Sequence, residues 1–356
     1  MFSRKDECTA LEAKEWAQYI AFAPAMFQAA RALRNLGILE TIKEKGTEGI
    51  TVKQVADHLN ISKYGAGVLM EAGLGMGLLF CEGNLYYLSK AGYLILSDSM
   101  TIANMDFMHD VCYQGLFELE ESVKTGKPEG LKVFGTWNTV YEALAHLPSQ
   151  VQKSWFAFDH FYSDTCFADV LAHVFEDHPK KILDIGGNTG KWALQCLNYS
   201  PDIHIGIVDL PGQLNVAKKN IQNSGFANRV FFYEGNILDP AQRLPGSYDV
   251  IWMSQFLDCF SEEQIIAILK KCYQALDDNG SIFILEPFWD RQKYEAAAFS
   301  LQMTSLYFTN IANGNSQMYN SSSFKELIET AGFKVTEQID HIGISHTLLK
   351  CRKTVL

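Results

Sequence analysis

The sequence predicts an α/β fold in its second half, a doubly wound and mostly parallel sheet with helices on both faces, preceded by a helical module. Three observations predict it. From Lys180 onward the strand-like runs "KILDIGG", "HIGIVDL", "RVFFYEG", "YDVIWMS" and "SIFILEP" alternate with helical runs such as "EEQIIAILKKCYQAL", which is the order of a βαβ series. The strand-like runs are continuously apolar, as strands covered on both faces must be. Glycines follow the first run directly, in "ILDIGGNTGKWA" over residues 182–193, where a strand gives way to a helix.

The elements follow in order. Residues 14–45 carry Phe27, Ala30, Leu33 and Leu36 at helical spacing, interrupted by Pro24 and stopped near Gly37, so a helix pair is expected there. In "TVKQVADHLNIS" Thr51 can cap a short helix with Val52, Val55, Ala56 and Leu59 on one side, and a second helix is expected from Tyr64 to Phe80. A turn at "CEGN" then joins "LYYLS". Helix, helix, hairpin is the order of a winged helix, assigned to a domain of residues 1–100. Such a module reads DNA or serves as a packing or dimerisation unit. Its would-be recognition helix, "SKYGAGVLMEAGLGMGLLF", has one Lys and no Arg, and its apolar content suits a protein interface. Residues 101–178 read as a helical connector with aromatics concentrated in "SWFAFDHFYSDTCF". Residues 179–356 form the sheet domain, closed after "FKELIETAGF" by "KVTEQIDHI" and "SHTLLKCRK" around Gly343, which predicts a final antiparallel pair.

At 356 residues, 47% hydrophobic and 20% charged, the chain has globular composition and a length that suggests two domains. Thirty Lys and Arg against 41 Asp and Glu give a net charge of −11, which argues against a nucleic-acid partner, since phosphate binding needs a basic footprint. The eight cysteines include no C-x-x-C pair and none has His at zinc-finger spacing, so no metal is expected and the thiols read as reduced, in a cytoplasmic protein. Trp16–Ala30, the longest charge-free stretch near the start, has 15 residues and contains Pro24. Neither a signal peptide nor a membrane span is expected.

The glycine loop discriminates between cofactors. A P-loop through Gly190 and Lys191 needs Gly where Ile185 stands and Ser or Thr where Trp192 stands. A dinucleotide fingerprint begun at Gly186 needs Gly at Asn188 and a small residue at Lys191. What remains is Asp184, Gly186, Gly187, Asn188 and Gly190. This pattern resembles the first motif of class I S-adenosylmethionine (SAM)-dependent methyltransferases, with Asn188 in the middle glycine position. Asn is the residue that, after glycine, best tolerates a left-handed backbone. Glycines let the backbone approach a ligand closely. Asp209, followed by Leu210, ends the second strand, where the doubly wound topology places an acid for ribose hydroxyls. Asn236 and Ile237 in "YEGNIL" end the third strand where adenine would lie, and Ser254 and Gln255 end the fourth.

Across most of its length the chain resembles small-molecule O-methyltransferases of the plant caffeate and animal hydroxyindole type, with bacterial relatives that tailor polyketides. The resemblance is carried by "ALRNLGILETI", "TVKQVADHLNIS", "LDIGGNTG", "VDLPGQL", "RVFFYEGNIL", "ILKKCYQALDDNGSIFILEP" and "FKELIETAGF". It implies a Rossmann-like, seven-stranded methyltransferase domain behind a winged-helix dimerisation domain. It further implies SAM as cofactor, a small-molecule acceptor from secondary metabolism, and a homodimer.

The catalytic segment departs from the family pattern. Phenol-methylating members read approximately L-H-D-W-S-D-E after the fourth strand, with His as base; "FLDCFSEE" puts Asp258, Cys259 and Phe260 at the His, acid and Trp positions. A second family carboxylate position holds Met318, whereas Glu286 after the fifth strand is kept. Asp258, Glu286 and His160 are therefore the catalytic candidates, His160 as a substitute base. The acceptor candidates are Phe158, Phe161 and Tyr162 before the sheet, with Phe299, Met303, Tyr307, Phe308 and Asn310 after the fifth strand. An ordinary Asp near 3.9 is a poor base for a phenol near 10, so Asp258 is expected to need burial or a like charge to raise it. The alternatives are O-methylation, C-methylation of an activated phenol ring, and a SAM-binding relative that transfers no methyl.

Overall fold

A computed structural model describes residues 6–163 and 166–354. The chain divides into two compact units, Met1–His109 and Asp110–Leu356.

The first unit opens with α1 (Ala10–Asn35), whose start is fixed by a capping box between Thr9 and Glu12. The helix runs unbroken through Pro24, where the sequence predicts an interruption. Proline deprives the Ile20 carbonyl of its amide partner, but residues 10–25 are exposed, so water can meet that carbonyl. The break falls at Gly37, whose φ of 81° is left-handed, and α2 (Ile38–Lys45) follows. α3 (Val52–Leu59) is boxed by Thr51 and Gln54, and α4 (Lys63–Gly75) is capped by Ser62. The second helix thus ends short of the expected Phe80. Gly77 turns the chain at a φ of 70°, and Phe80 lies in β1 (Leu79–Glu82), paired antiparallel with β2 (Leu85–Leu88). α5 (Lys90–Ser97) and α6 (Ser99–Phe107) complete the unit. Leu33, Ile38, Leu39, Ile42, Ile50, Val55 and Met70 form its core. Arg31 reaches Asp106 at 2.8 Å, with Arg34 on the same carboxylate.

The second unit begins with α7 (Leu119–Thr125), α8 (Val140–Ala143), α9 (Ser149–Ser163) and α10 (Phe167–Val174). The sheet then alternates strand and helix: β3 (Lys181–Ile185), α11 (Lys191–Tyr199), β4 (His204–Asp209), α12 (Pro211–Asn223), β5 (Val230–Glu234) and β6 (Tyr248–Ser254). α13 (Glu262–Ala275), β7 (Leu276–Glu286), α14 (Glu295–Tyr307), α15 (Ser321–Thr330), β8 (Phe333–Ile342) and β9 (His346–Lys353) follow. The seven strands lie in the order β5-β4-β3-β6-β7-β9-β8. β9 is antiparallel to both neighbours, and the remaining pairs are parallel.

Alternate side chains of each strand enter opposite layers. Leu183, Ile251 and Ile284 pack with Ile265 and Leu269 of α13 and Phe324 of α15. Ile182, Trp252 and Phe283 pack with Val170 of α10, Trp192 of α11 and Leu214 of α12. Trp192 stacks on Trp252 with ring centroids 4.0 Å apart. The chain leaves β3 outward through β4 and β5, then returns to the other side of β3 with β6. That reversal opens a crevice at the carboxyl ends of β3 and β6, where open α/β sheets bind ligands. Among the described residues no helix is long and apolar enough to cross a membrane, and no group of three or more His, Cys, Asp or Glu is arranged to hold a metal.

Candidate active site

The crevice starts from the glycine loop. Gly186, Asn188 and Gly190 have φ of 75°, 48° and 79°, so the one non-glycine is of the type that accepts this conformation. A Cβ on Gly186 would stand 2.3 Å from the Phe256 ring, and one on Gly187 would stand 2.7 Å from Asp184 Oδ2 and from Ile207. The loop therefore has no room for side chains at residues 186 and 187, and it meets the segment after β6 through Phe256.

A carboxylate holds this loop. Asp209 Oδ2 accepts the Asn188 N–H at 2.8 Å, and its Oδ1 accepts the Leu210 N–H at 2.7 Å. Burial raises its carboxyl while these two bonds oppose the rise. Asp209 was expected to serve ribose hydroxyls; it also ties the glycine loop to the end of β4, and each oxygen keeps a further lone pair. Asp184 is 2% exposed, and its Oδ2 has no hydrogen-bond partner. Burial, then the nearby Asp209, pushes its carboxyl well up. A buried acceptor left unmatched is costly, and together with the unmatched Gln255 Nε2 it suits a polar ligand in the crevice. Gln255 sits at a φ of 47° with its N–H on the Leu285 carbonyl, 2.9 Å away, and Ser254 before it is half-buried. Asn236 Oδ1 accepts the Leu238 N–H at 2.9 Å, a turn of its own that presents the buried Ile237.

Beyond Phe256 the chain makes one helical turn, Leu257–Cys259, that carries Asp258. Three side chains fix this turn. Glu286 Oε1 accepts the N–H groups of Phe256 and Leu257 at 3.0 and 2.8 Å, Asn313 Nδ2 donates to the Cys259 carbonyl at 2.7 Å, and the Tyr319 hydroxyl donates to the Phe260 carbonyl at 2.6 Å. Glu286, expected to be catalytic, ties this turn through Oε1, while its buried Oε2 has no hydrogen-bond partner. Its carboxyl is pushed well up by burial and then by Asp258.

Asp258 is 6% exposed. Burial raises its carboxyl to about 7; the Cys259 thiol, 3.3 Å from Oδ1, lowers it, and the Asp159 carboxyl raises it further. Asp159 lies on α9 beside the predicted His160, and neighbours on a helix point about 100° apart. The Asp159 carboxyl acts on Asp258, and His160 stacks on Phe156 with centroids 6.0 Å apart. Tyr307 of α14 is buried and accepts the Trp155 Nε1–H at 2.7 Å. Its phenol is pushed well up by burial, with Cys259 and Asp159 adding to the rise. Tyr141 of α8 faces the same group of side chains.

The acceptor candidates separate. Tyr307 and Phe308 are buried, whereas Phe299 is 52% and Met303 36% exposed. Positions 299, 303 and 307 share one helix face, so they form a stripe from the surface to the Asp258 cluster, and the two outer members do not belong to it. Asn310 is fully buried, accepts from Ser122 Oγ at 2.8 Å, and packs on Gly130. Its Oδ1 is thus held by Ser122, while its Nδ2 is buried with no hydrogen-bond partner. Phe158 and Phe161 are half-buried and contact Tyr162 with centroids 5.2 and 5.4 Å apart. Met318 is a buried apolar residue whose N–H donates to Ser305 Oγ at 3.1 Å. Asp159, Tyr141, Asn313 and Tyr319 were not predicted; Asp159 lay in the aromatic run, but nothing local distinguished it.

The sheet order and the acid-tied glycine loop define the class, a class I methyltransferase fold. The chain belongs to the O-methyltransferase domain family, whose model matches residues 116–334, and residues 14–86 match a Dimerisation2-like domain. It is 23% identical over 331 residues to L-tyrosine C(3)-methyltransferase of Streptomyces lavendulae, covering 91% of this chain and 88% of the relative. It is 24% identical over 344 residues to acetylserotonin O-methyltransferase of Bos taurus, covering 90% and 91%. The crystal structure of the S-adenosylmethionine-dependent methyltransferase SibL in its apo form superposes with a TM-score of 0.71 at 24% identity, over 95% of this chain and 98% of that one.

Proposed function

We propose that this chain transfers a methyl group from SAM to a hydroxyl of an aromatic or polyketide-like small molecule, with Asp258 accepting the hydroxyl proton. The observation that carries the reading is a buried carboxyl raised to about 7 on a turn that meets the glycine loop through Phe256. Moving an Asp from about 3.9 to about 7 narrows the gap to a phenol near 10 from roughly six units to roughly three, or from about 8 to about 4 kcal/mol. Asp258 thereby takes over much of what the missing His supplies.

SAM, when bound, supplies the electrophilic methyl group. Asp184, Gly186, Gly187, Asn188, Gly190, Asp209, Leu210, Asn236, Ile237, Ser254 and Gln255 would hold it, and the unmatched Asp184 Oδ2 and the side-chain-free glycine cradle fit that ligand. Glu286 keeps the Asp258 turn in place through the amides of residues 256 and 257. Tyr307 and the aromatics of α9 would exclude water and orient the acceptor for in-line attack, a large source of rate by itself. The first unit would be a winged-helix module that pairs two copies; Trp16, Ile20 and Phe22 stand exposed on α1. The eight cysteines, which include no C-x-x-C pair, suit the reducing cytoplasm.

Methylation at ring carbon is the second reading, favoured because the relative from Streptomyces lavendulae is a C(3)-methyltransferase and because an Asp replaces the family's His. There Asp258 would hold the phenolate or take the ring proton.

Calorimetry with SAM, followed by incubation with methyl-labelled SAM and a panel of phenols, tests the proposal. Asp258→Asn should lower turnover by roughly 10²–10⁴-fold with SAM affinity retained, and unchanged turnover removes the base. A base must be ionised, so wild-type turnover should rise with pH to a plateau above about 7. The position of the label on the product separates oxygen from carbon.

A further inference from the structure

One aromatic ring joins the glycine loop to the Asp258 turn. Phe256 belongs to the segment after β6, yet its ring lies against Gly186 at the end of β3: a Cβ there would fall 2.3 Å from Cδ2, 2.8 Å from Cε2 and 2.9 Å from Cγ. The same ring meets Phe260 edge-on, with centroids 4.9 Å apart, and the Phe256 N–H is held by Glu286 Oε1 at 3.0 Å. We propose that Phe256 is a positioning residue that carries the state of the cofactor loop to the Asp258 turn, so that the turn is set when the cofactor is in place. This deepens the reading of the crevice as a SAM site beside a base, and rests on it.

The ring has a stiff anchor on each side. Gly186, at a φ of 75°, donates its N–H to the Val208 carbonyl at 2.9 Å, so the backbone under the ring is tied to β4. On the other side Gln255 is a non-glycine at a φ of 47°, with its N–H on the Leu285 carbonyl at 2.9 Å; such a conformation persists only where its surroundings hold it. Beyond the ring the turn closes through the Cys259 N–H on the Phe256 carbonyl at 3.2 Å and the Phe260 N–H on the Leu257 carbonyl at 3.1 Å. Leu257 is part of the layer that α13 packs into, and Phe256 and Phe260 lie against that layer. Close-packed groups transmit a displacement rather than absorb it, so a shift of the loop at Gly186 becomes a shift of the ring and of the turn it begins. Gly186 and Gln255 are both cofactor candidates, and Gln255 Nε2 is buried without a partner. A ligand that engages both brackets the ring.

Hydrogen exchange at the amides of residues 255–260, read by mass spectrometry on the whole protein, tests this with S-adenosylhomocysteine and no acceptor. In the wild type S-adenosylhomocysteine should slow exchange there by roughly 5–150-fold, the range of a coupling between two sites. In Phe256→Ala it should still bind by calorimetry, while those amides no longer respond to it. With no ligand present, Gly186→Ala, whose Cβ must displace the ring, should speed exchange at the same amides. Gly187→Ala, whose Cβ meets Asp184 and Ile207 instead, should not. A response kept in Phe256→Ala overturns the link, as do wild-type amides that ignore bound S-adenosylhomocysteine. No calorimetric heat with the wild type overturns the cofactor reading itself. If Phe256→Ala does not fold or does not bind, the comparison of Gly186→Ala with Gly187→Ala in the free protein decides: equal exchange at residues 255–260 in the two overturns the link.

Discussion

The two sides of the crevice are built by different means. The glycine-loop side is backbone work: left-handed turns at Gly186, Asn188 and Gly190, and amides tied to Asp209 within 25 residues of chain. The Asp258 side is assembled from side chains on α8, α9, α14, β7 and the turn after β6. A backbone cradle depends on local sequence and tolerates little substitution. A side-chain cluster can change members while its scaffold stays. That difference accounts for a family cofactor motif retained almost intact beside a catalytic segment in which the usual His is replaced.

Mutations can break this contrast or sharpen it. The largest effect on SAM binding is expected for Gly186→Val, which must place its Cβ 2.3 Å from the Phe256 ring at a φ of 75°. Backbone strain of about 1–3 kcal/mol should weaken SAM binding by roughly 5–150-fold in calorimetry. If Asp258→Asn weakened SAM binding as much, the two sides would not be separable. Next comes Glu286→Ala, which strands the amides of Phe256 and Leu257. Each unmatched amide costs about 1–3 kcal/mol, so the thermal midpoint should drop by several degrees and turnover by roughly tenfold. Glu286→Gln keeps an acceptor oxygen and should recover most of both, whereas equal losses in the two variants would assign Glu286 a role in proton transfer. The smallest effect is expected for Phe299→Ala on the exposed end of the α14 stripe, within about 0.5 kcal/mol in stability and about twofold in turnover. A larger loss of turnover would extend the acceptor site to the surface.

The same contrast explains what the sequence made legible. The strands could be read because burial on both faces leaves continuous apolar runs, and the glycine loop because backbone geometry restricts residue type position by position. Register singles out Asp258 as a candidate and its ordinary acidity calls for burial, which the structure provides at 6% exposure. The partners of its turn were not legible: Asn313 reaches Cys259 across 54 residues and Tyr319 reaches Phe260 across 59, and no local pattern encodes such pairings. Asp159, whose carboxyl acts on Asp258, lay unmarked in the aromatic run, because nothing in the local pattern tells which residue of α9 faces that turn. Pro24 misled because α1 is exposed there, so water can meet the Ile20 carbonyl that proline leaves without an amide.

The stacked indoles of Trp192 and Trp252 give the enzyme an internal optical gauge. Trp192 lies on the helix that issues from the glycine loop, and Trp252 lies on the strand that runs into the Asp258 turn. Two rings at 4.0 Å share their excited states, so a change in their spacing alters the coupled ultraviolet circular dichroism. If cofactor binding alters that spacing, occupancy of the crevice would be followed in the unlabelled protein, before any acceptor is known.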